Sequence, residues 1–457
     1  MLEFFKKFLF KTNYSIKMNS HLNNHLNLNP NRIKIILNTT WLLIERVFRI
    51  GLGFFVTALV ARYLGPRDFG LLSYAISLMA LFESFINLGL NSVLKKYLLY
   101  WPDKTDSLLG TTLFLRFTSA FLIIVMLLLL LPHYYRYTPG LREIIYILSL
   151  SLIFKVVDLV DLWYESQVKS KYSTIVKSVA IVSTSILKLI LIYIKAPLHY
   201  FAWAVTIEAI VCAIGYLYLL KRHKGPLSSW SSWKFDFEIL KKLFNECWPL
   251  TFASIAVMVY MKIDQIMLKH LADEQAVGIY SVAVKLSEPW GFIAVNIIAS
   301  FFPTIVLAKK KSIKDYYNKL QKLFSFMTFF ALIIAIPITI FAHPLINMIF
   351  SSKYASSAPI LQVHIWSNLF VFWAVAQDPW DIVEKHTKFV CFKSVLAAIL
   401  NIGLNFFLIP RYGGFGAAWA TLISYSMVGF FLNLLHRKTR KAFVSQFKSL
   451  LFWKYLR

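Results

Sequence analysis

From residue 37 to residue 435 the chain is a succession of apolar runs parted by short polar turns. Each run is about 20 residues long, the length a helix needs to cross roughly 30 Å of hydrocarbon. They fall near 37–61, 69–94, 107–131, 141–163, 175–195, 199–220, 248–269, 278–307, 322–342, 357–377, 388–409 and 414–435, about twelve by the length rule. A backbone surrounded by lipid must satisfy its hydrogen bonds internally, so runs of this length are helices. The expected fold class is an all-α integral membrane protein. With 58% hydrophobic and only 16% charged residues, the composition leaves no room for a large soluble domain.

One stretch occurs twice. ARYLGPRDFGLLSYAISL (61–78) aligns with KHLADEQAVGIYSVAVKL (269–286), placing Leu64 on Leu271, Gly70 on Gly278, Ser73 on Ser281 and Ala75 on Ala283, with one residue of slippage. Each copy is the turn of a helical hairpin. A membrane chain with such a repeat is expected to be two related halves, with the transported molecule bound between them.

The expected division is a tail with an amphipathic segment (1–34), a first lobe (35–220), an amphipathic linker (221–247), a second lobe (248–436) and a basic tail (437–457). In the linker, Trp233, Phe237, Leu240 and Phe244 recur at helical spacing and read as a helix lying on the membrane surface. Phe443, Phe447, Leu450 and Leu451 repeat that pattern after the last span. The opening MLEFFKKFLFK has no apolar core of signal-peptide length.

An even number of spans puts both termini on one face. Lys6, Lys7, Lys11, Arg437, Lys438, Arg440 and Lys441 lie in the tails, and Lys95, Lys96, Lys169, Lys171, Lys221, Arg222, Lys309, Lys310 and Lys311 in loops of the same side. By the positive-inside rule that face is cytoplasmic. This asymmetry accounts for most of the +27 net charge, with membrane lipids as partners and nucleic acid excluded.

Other chemistry is absent from the sequence. Cys212, Cys247 and Cys391 have no metal or disulfide spacing, the histidines are scattered singly, and no phosphate-binding G-x-x-x-x-G-K-[ST] loop occurs. No loop on the non-cytoplasmic side exceeds about fifteen residues, too short for a catalytic domain. No cofactor is expected beyond a coupling ion, a proton or sodium.

ARYLGPRDFG, NLGLNSVLKKYL, WPLTFASIAVMVYMKIDQIML, VGIYSVAVKLSEPW and LIPRYGGFGAAWATLISY together resemble Wzx-type polysaccharide flippases, which serve O-antigen, capsule or exopolysaccharide synthesis. The wider group holds peptidoglycan-precursor flippases and multidrug extruders. The resemblance implies about twelve transmembrane helices in two pseudo-symmetric six-helix lobes around a central cavity, alternating access at a bacterial inner membrane, undecaprenyl-diphosphate-linked oligosaccharide as the substrate, and polysaccharide polymerase and chain-length proteins as partners.

Ionisable residues inside spans mark where a transport path would run, because each costs roughly 2.5–3.5 kcal/mol at mid-helix unless it meets water or a partner. In the first span Glu45 and Arg49 stand in the favourable i,i+4 order, leaving Arg46 either to line the cavity or to snorkel. In the eighth, Lys285 and Glu288 share a face and Pro289 breaks the ladder between them. Lys262 and Asp264 are two apart, about 200° around the helix, and cannot face one cavity. Arg46, Arg49, Lys262 and Lys285 are the expected substrate-binding cations. Glu83, Asp264, Glu288 and Pro289 are the expected ion-coupling or gating set, with a salt bridge from Glu83 to Arg46 or Arg49 as its alternative. Lys188 and Glu208 read as a structural ion pair. Arg116 and Lys393 are expected to snorkel.

The reading is a flippase, not an enzyme. A small-molecule extruder is its rival among transporters, and a glycosyltransferase or polymerase, or a scaffold, its rivals outside them.

Overall fold

The computed structural model describes residues 30–134, 138–222, 233–384, 387–435, 437 and 439–454, and these are helical with no strand among them. The first half holds α1 (Pro30–Asn87), α2 (Leu90–Tyr100), α3 (Thr105–Tyr134), α4 (Pro139–Lys155), α5 (Leu159–Ser166), α6 (Lys171–Tyr193) and α7 (Leu198–Arg222). The second holds α8 (Phe237–Leu271), α9 (Glu274–Ser287), α10 (Gly291–Lys311), α11 (Ile313–Ile340), α12 (Ala342–Phe350), α13 (Ser357–His364), α14 (Ser367–Val383), α15 (Thr387–Gly429) and α16 (Arg440–Ser449).

Among the described residues eight helical stretches are long and apolar enough to cross a membrane, and two of them, of 56 and 46 residues, are long enough to cross twice. Helix α1 bends at Gly65, where φ is 74° and ψ 173°. Glycine tolerates that φ, and Pro66 disfavours a helical residue before it and opens the second arm. Helix α15 bends likewise at Gly413, with φ 54°. Two further crossings are interrupted by 3-10 turns, Val156–Asp158 between α4 and α5 and Glu288–Trp290 between α9 and α10. Counted so, each of the expected spans is helical. The second interruption contains Pro289, where the sequence places the break.

The main core runs through both halves, from Val56, Ala61, Phe69 and Tyr74 to Leu268, Val277, Val282 and Ala283. Helix α3 stays at the periphery and exposes Phe117, Phe121, Leu122 and Leu129, the apolar surface that lipid would cover.

The segment expected to lie as a separate helix on the membrane is instead the start of α8, which runs unbroken through residues 247 and 248. Asp236 caps it, accepting from the amides of Glu238 and Ile239. Ile239, Leu243 and Cys247 sink into a second core with Leu94, Leu109 and Trp163 of the first half, while Phe237 and Phe244 remain exposed. Helix α16 buries Ala442, Gln446 and Ser449 and exposes Phe447. The amphipathic segment expected before residue 30 lies outside the described residues.

Two expected snorkellers are interior groups. Arg116 is 1% exposed and donates to Asn91 Oδ1 at 2.5 Å. Lys393 is buried and donates to Asn433 Oδ1 at 3.2 Å, with Asp381 at 4.0 Å. Amide and carboxylate oxygens inside the bundle supply the polar contacts that would otherwise draw these side chains outward.

Candidate functional site: a lysine-lined cavity between the halves

The two copies of the repeat meet each other. A Cβ built on Gly70 would stand 1.8 Å from the Glu274 carbonyl oxygen, and one on Gly278 1.9 Å from that of Pro66. Only glycine at both positions lets α1 and α9 cross so closely. Tyr354 donates to the carbonyl of Ala61 at 2.8 Å, Arg62 to that of Met348, and Ser77 bonds Gln265. One face of the molecule, called the far face here, is closed between the halves by these contacts. On the opposite, near face, Thr251 donates to the carbonyl of Leu88 at 2.7 Å and Lys96 meets Glu246 at 2.9 Å.

Between these ends lies a cavity of about 120 Å³. Thr57, Ser73, Ser77 and Ala80 line it from α1, Lys188 from α6, Lys262 and Gln265 from α8, Ser281 and Lys285 from α9, and Glu288 from the turn after α9. Three lysines therefore face one carboxylate. Lys262 bonds both Glu288 oxygens, at 3.1 and 3.3 Å, and Lys188 is 3.7 Å from Glu208. Lys285 has no hydrogen bond or ion pair among the described residues, and its accessible surface opens into this cavity.

The structure thus brings Lys262, Lys285 and Glu288 to one cavity and pairs Glu288 with Lys262 rather than with Lys285. Lys188, read from sequence as half of a structural pair, makes that pair and also lines the cavity. Arg46 and Arg49, expected there, are not among its lining residues. Arg49 reaches back to Glu45 at 2.8 Å with its side chain 42% exposed. The helix itself explains this, because Arg49 precedes Thr57 by eight residues, about 12 Å of rise.

A second cavity adjoins the first at Ala80, on its near-face side, and is lined by residues including Glu83, Ser84, Asn87 and Asn91. Glu83 pairs with Lys155 at 2.6 Å, not with Arg46 or Arg49.

Asp264 turns away from the lysines, as the helical period requires. It is 2% exposed. Its carboxylate accepts from Tyr280 at 2.6 Å, from Thr421, and from Asn405 Nδ2 at 2.5 Å, and no lysine or arginine among the described residues pairs with it. The Asn405 amide also donates to Asn401 Oδ1 at 3.1 Å, while Asn405 Oδ1 and Asn401 Nδ2 are buried without partners. Asn401, Asn405 and Thr421 were not singled out in the sequence. The i,i+4 spacing of the two amides within an apolar run was the available signal. No group of three His, Cys, Asp or Glu able to hold a metal occurs among the described residues.

Residues 35–309 match the family model described as "Polysaccharide biosynthesis protein", well over half of the chain. An uncharacterised membrane protein of Methanocaldococcus jannaschii is 22% identical over 424 residues, covering 87% of this chain and 83% of that protein. Among solved structures, an inward-facing multidrug resistance MATE transporter of the MOP superfamily has a TM-score of 0.71 at 11% identity, covering 90% of this chain and 96% of that one. The lipid II flippase MurJ in an inward closed conformation has a TM-score of 0.69 at 16% identity, covering 91% of each chain. At such identities these likenesses show the fold, that of all-helical membrane transporters.

Proposed function

The chain belongs to the polysaccharide biosynthesis protein family, and from that premise we propose that it is a flippase moving an undecaprenyl-diphosphate-linked oligosaccharide across the bacterial cytoplasmic membrane. The observation that carries the reading is the excess of lysine in the cavity between the halves. A diphosphate needs cations, and ammonium groups inside a low-dielectric bundle attract it far more strongly than in water. Lys285, unpaired among the described residues, is the first contact. Lys262 and Lys188, each beside a carboxylate, join it at the cost of loosening Glu288 and Glu208, which keeps the total attraction modest enough for release.

Both termini and the near face are cytoplasmic in this reading, so the far-face crossing at Gly70 and Gly278 is the seal toward the outside. Alternating access then exchanges that seal for one at the near face while the lipid tail stays in the bilayer. Polysaccharide polymerase and chain-length proteins are the partners that would take up the product.

A coupling ion, sodium or a proton, fits the Asp264 cluster better than Glu83 or Glu288, which already pair with lysines. Asp264, Thr421, Tyr280 and Asn405 would hold it, and the orphaned Asn405 Oδ1 becomes a ligand oxygen when the amide turns over. When bound, the ion supplies the positive charge this buried carboxylate lacks.

The fold likeness to a multidrug transporter favours a second reading, export of small organic cations, but a lysine-rich lining repels them. The test is reconstitution in liposomes carrying undecaprenyl-diphosphate oligosaccharide, with headgroup exposure followed by an impermeant glycosidase. Protein-dependent exposure that falls at least tenfold in Lys285→Gln is expected. No exposure, with export of a small organic cation instead, would replace the flippase by the extruder.

A further inference from the structure

The second cavity differs in chemistry from the first, and the backbone is broken beside it. Leu88 and Gly89 have φ values of 47° and 61°, so the chain leaves the helical conformation between α1 and α2. Irregular backbone at membrane depth persists only where protein buries it or a cavity borders it. Here a cavity of about 450 Å³ does so, large enough for a small ligand.

The lining has no uncompensated charge. Glu83 is neutralised by Lys155 at 2.6 Å and keeps its other oxygen open. Asn91 gives its carbonyl oxygen to Arg116, which leaves its amide hydrogens free. Neither Asn87 nor Ser92 makes a side-chain hydrogen bond among the described residues, yet both line the space. Leu250 and Met258 form an apolar wall. Amide donors and acceptors, a hydroxyl and an apolar wall suit the hydroxyls and C–H faces of a neutral sugar, and suit a phosphate or an organic cation poorly. Ala80 lines both cavities, and Asn87 lies seven residues beyond it along the second arm of α1, about 10 Å of rise, so a sugar attached to the diphosphate enters the second cavity.

Resting on the flippase reading above, we propose that this cavity is the subsite for the uncharged sugars next to the diphosphate, a neutral hexose or N-acetylhexosamine. Asn87, Ser92 and the free amide of Asn91 read its hydroxyl and N-acetyl groups.

Calorimetry on the full chain in detergent tests this with two probes, farnesyl diphosphate and farnesyl-diphosphoryl-N-acetylglucosamine. Two or three added hydrogen bonds predict that the sugar probe binds the wild type about tenfold more tightly or better. The Asn87→Ala/Ser92→Ala double variant is expected to bind both probes alike, with the farnesyl diphosphate affinity kept within about twofold, which also shows that it is folded. Lys285→Gln is expected to weaken both probes by a similar factor. A wild type that gains nothing from the sugar, or a double variant that keeps the gain, overturns this subsite and leaves the flippase reading standing. Failure of the wild type to bind either probe would remove both.

Discussion

The two copies of the repeated hairpin agree where they touch each other and, Ser73 and Ser281 apart, differ in charge where they face the cavity. Gly70 and Gly278 form the crossing from both sides. Carried along the chain at the same offset, the alignment places Ser77 on Lys285 and Ala80 on Glu288, and on the preceding arm Thr57 on Asp264. Ser77, Ala80 and Thr57 line the cavity opposite the second copy's lysines, yet carry no charge. The symmetric part of the repeat is thus scaffold, and the chemistry sits in the second copy. A close backbone crossing needs small residues from both partners, whereas an anionic ligand takes its cations from whichever helices surround it, here Lys262 and Lys285 of the second half and Lys188 of α6.

Substitutions that give the second copy the first copy's residue should break this contrast most sharply. Lys285→Ser should lower lipid-linked oligosaccharide transport in liposomes about tenfold or more, the scale of one charge-assisted contact. Ser77→Ala should stay within about twofold. Equal losses would mean that both walls bind the headgroup.

Asp264→Thr should leave flipping insensitive to imposed sodium or proton gradients, removing at least an approximately tenfold acceleration. Glu83→Gln should retain that response, because its carboxylate is already matched by Lys155. The reverse result would move the coupling site to the first half.

The scaffold part should respond symmetrically. Gly70→Ala and Gly278→Ala each force a methyl group against a backbone carbonyl, and each should cost about 1–3 kcal/mol in detergent unfolding. A neutral effect at one of them would show that the crossing opens at no cost.

The smallest effect concerns an ion pair that the first copy lacks. Lys269 bonds Glu274 at 2.6 Å and holds its carboxyl below the usual carboxylate range. A lowered pKa contributes stability that is fully present above the unfolded value of about 4.3 and is lost as the pH falls through the folded one. Glu274→Gln should therefore remove at most about 1 kcal/mol at pH 7 and flatten the acid side of the unfolding profile. An unchanged acid limb would show that the bond contributes nothing.

The sequence by itself determined the membrane class, the helical spans and most of their ends, because span length and Gly65–Pro66 act through local backbone physics. It also determined that Lys262 and Asp264 look in opposite directions, since the helical period alone requires it. Which partner each charge meets was decided by tertiary structure. Glu83 finds Lys155, seventy-two residues away, Arg116 finds Asn91, and the Asp264 cluster gathers three other crossings. Arg46 and Arg49 share the composition of the cavity cations but not their depth along the helix. The start of α8 carries the stripe of a surface helix and yet docks on the first half, since an amphipathic pattern specifies that a face is covered but not by what. Rise and rotation along one helix are fixed by its own backbone, while contacts between helices depend on how all of them pack.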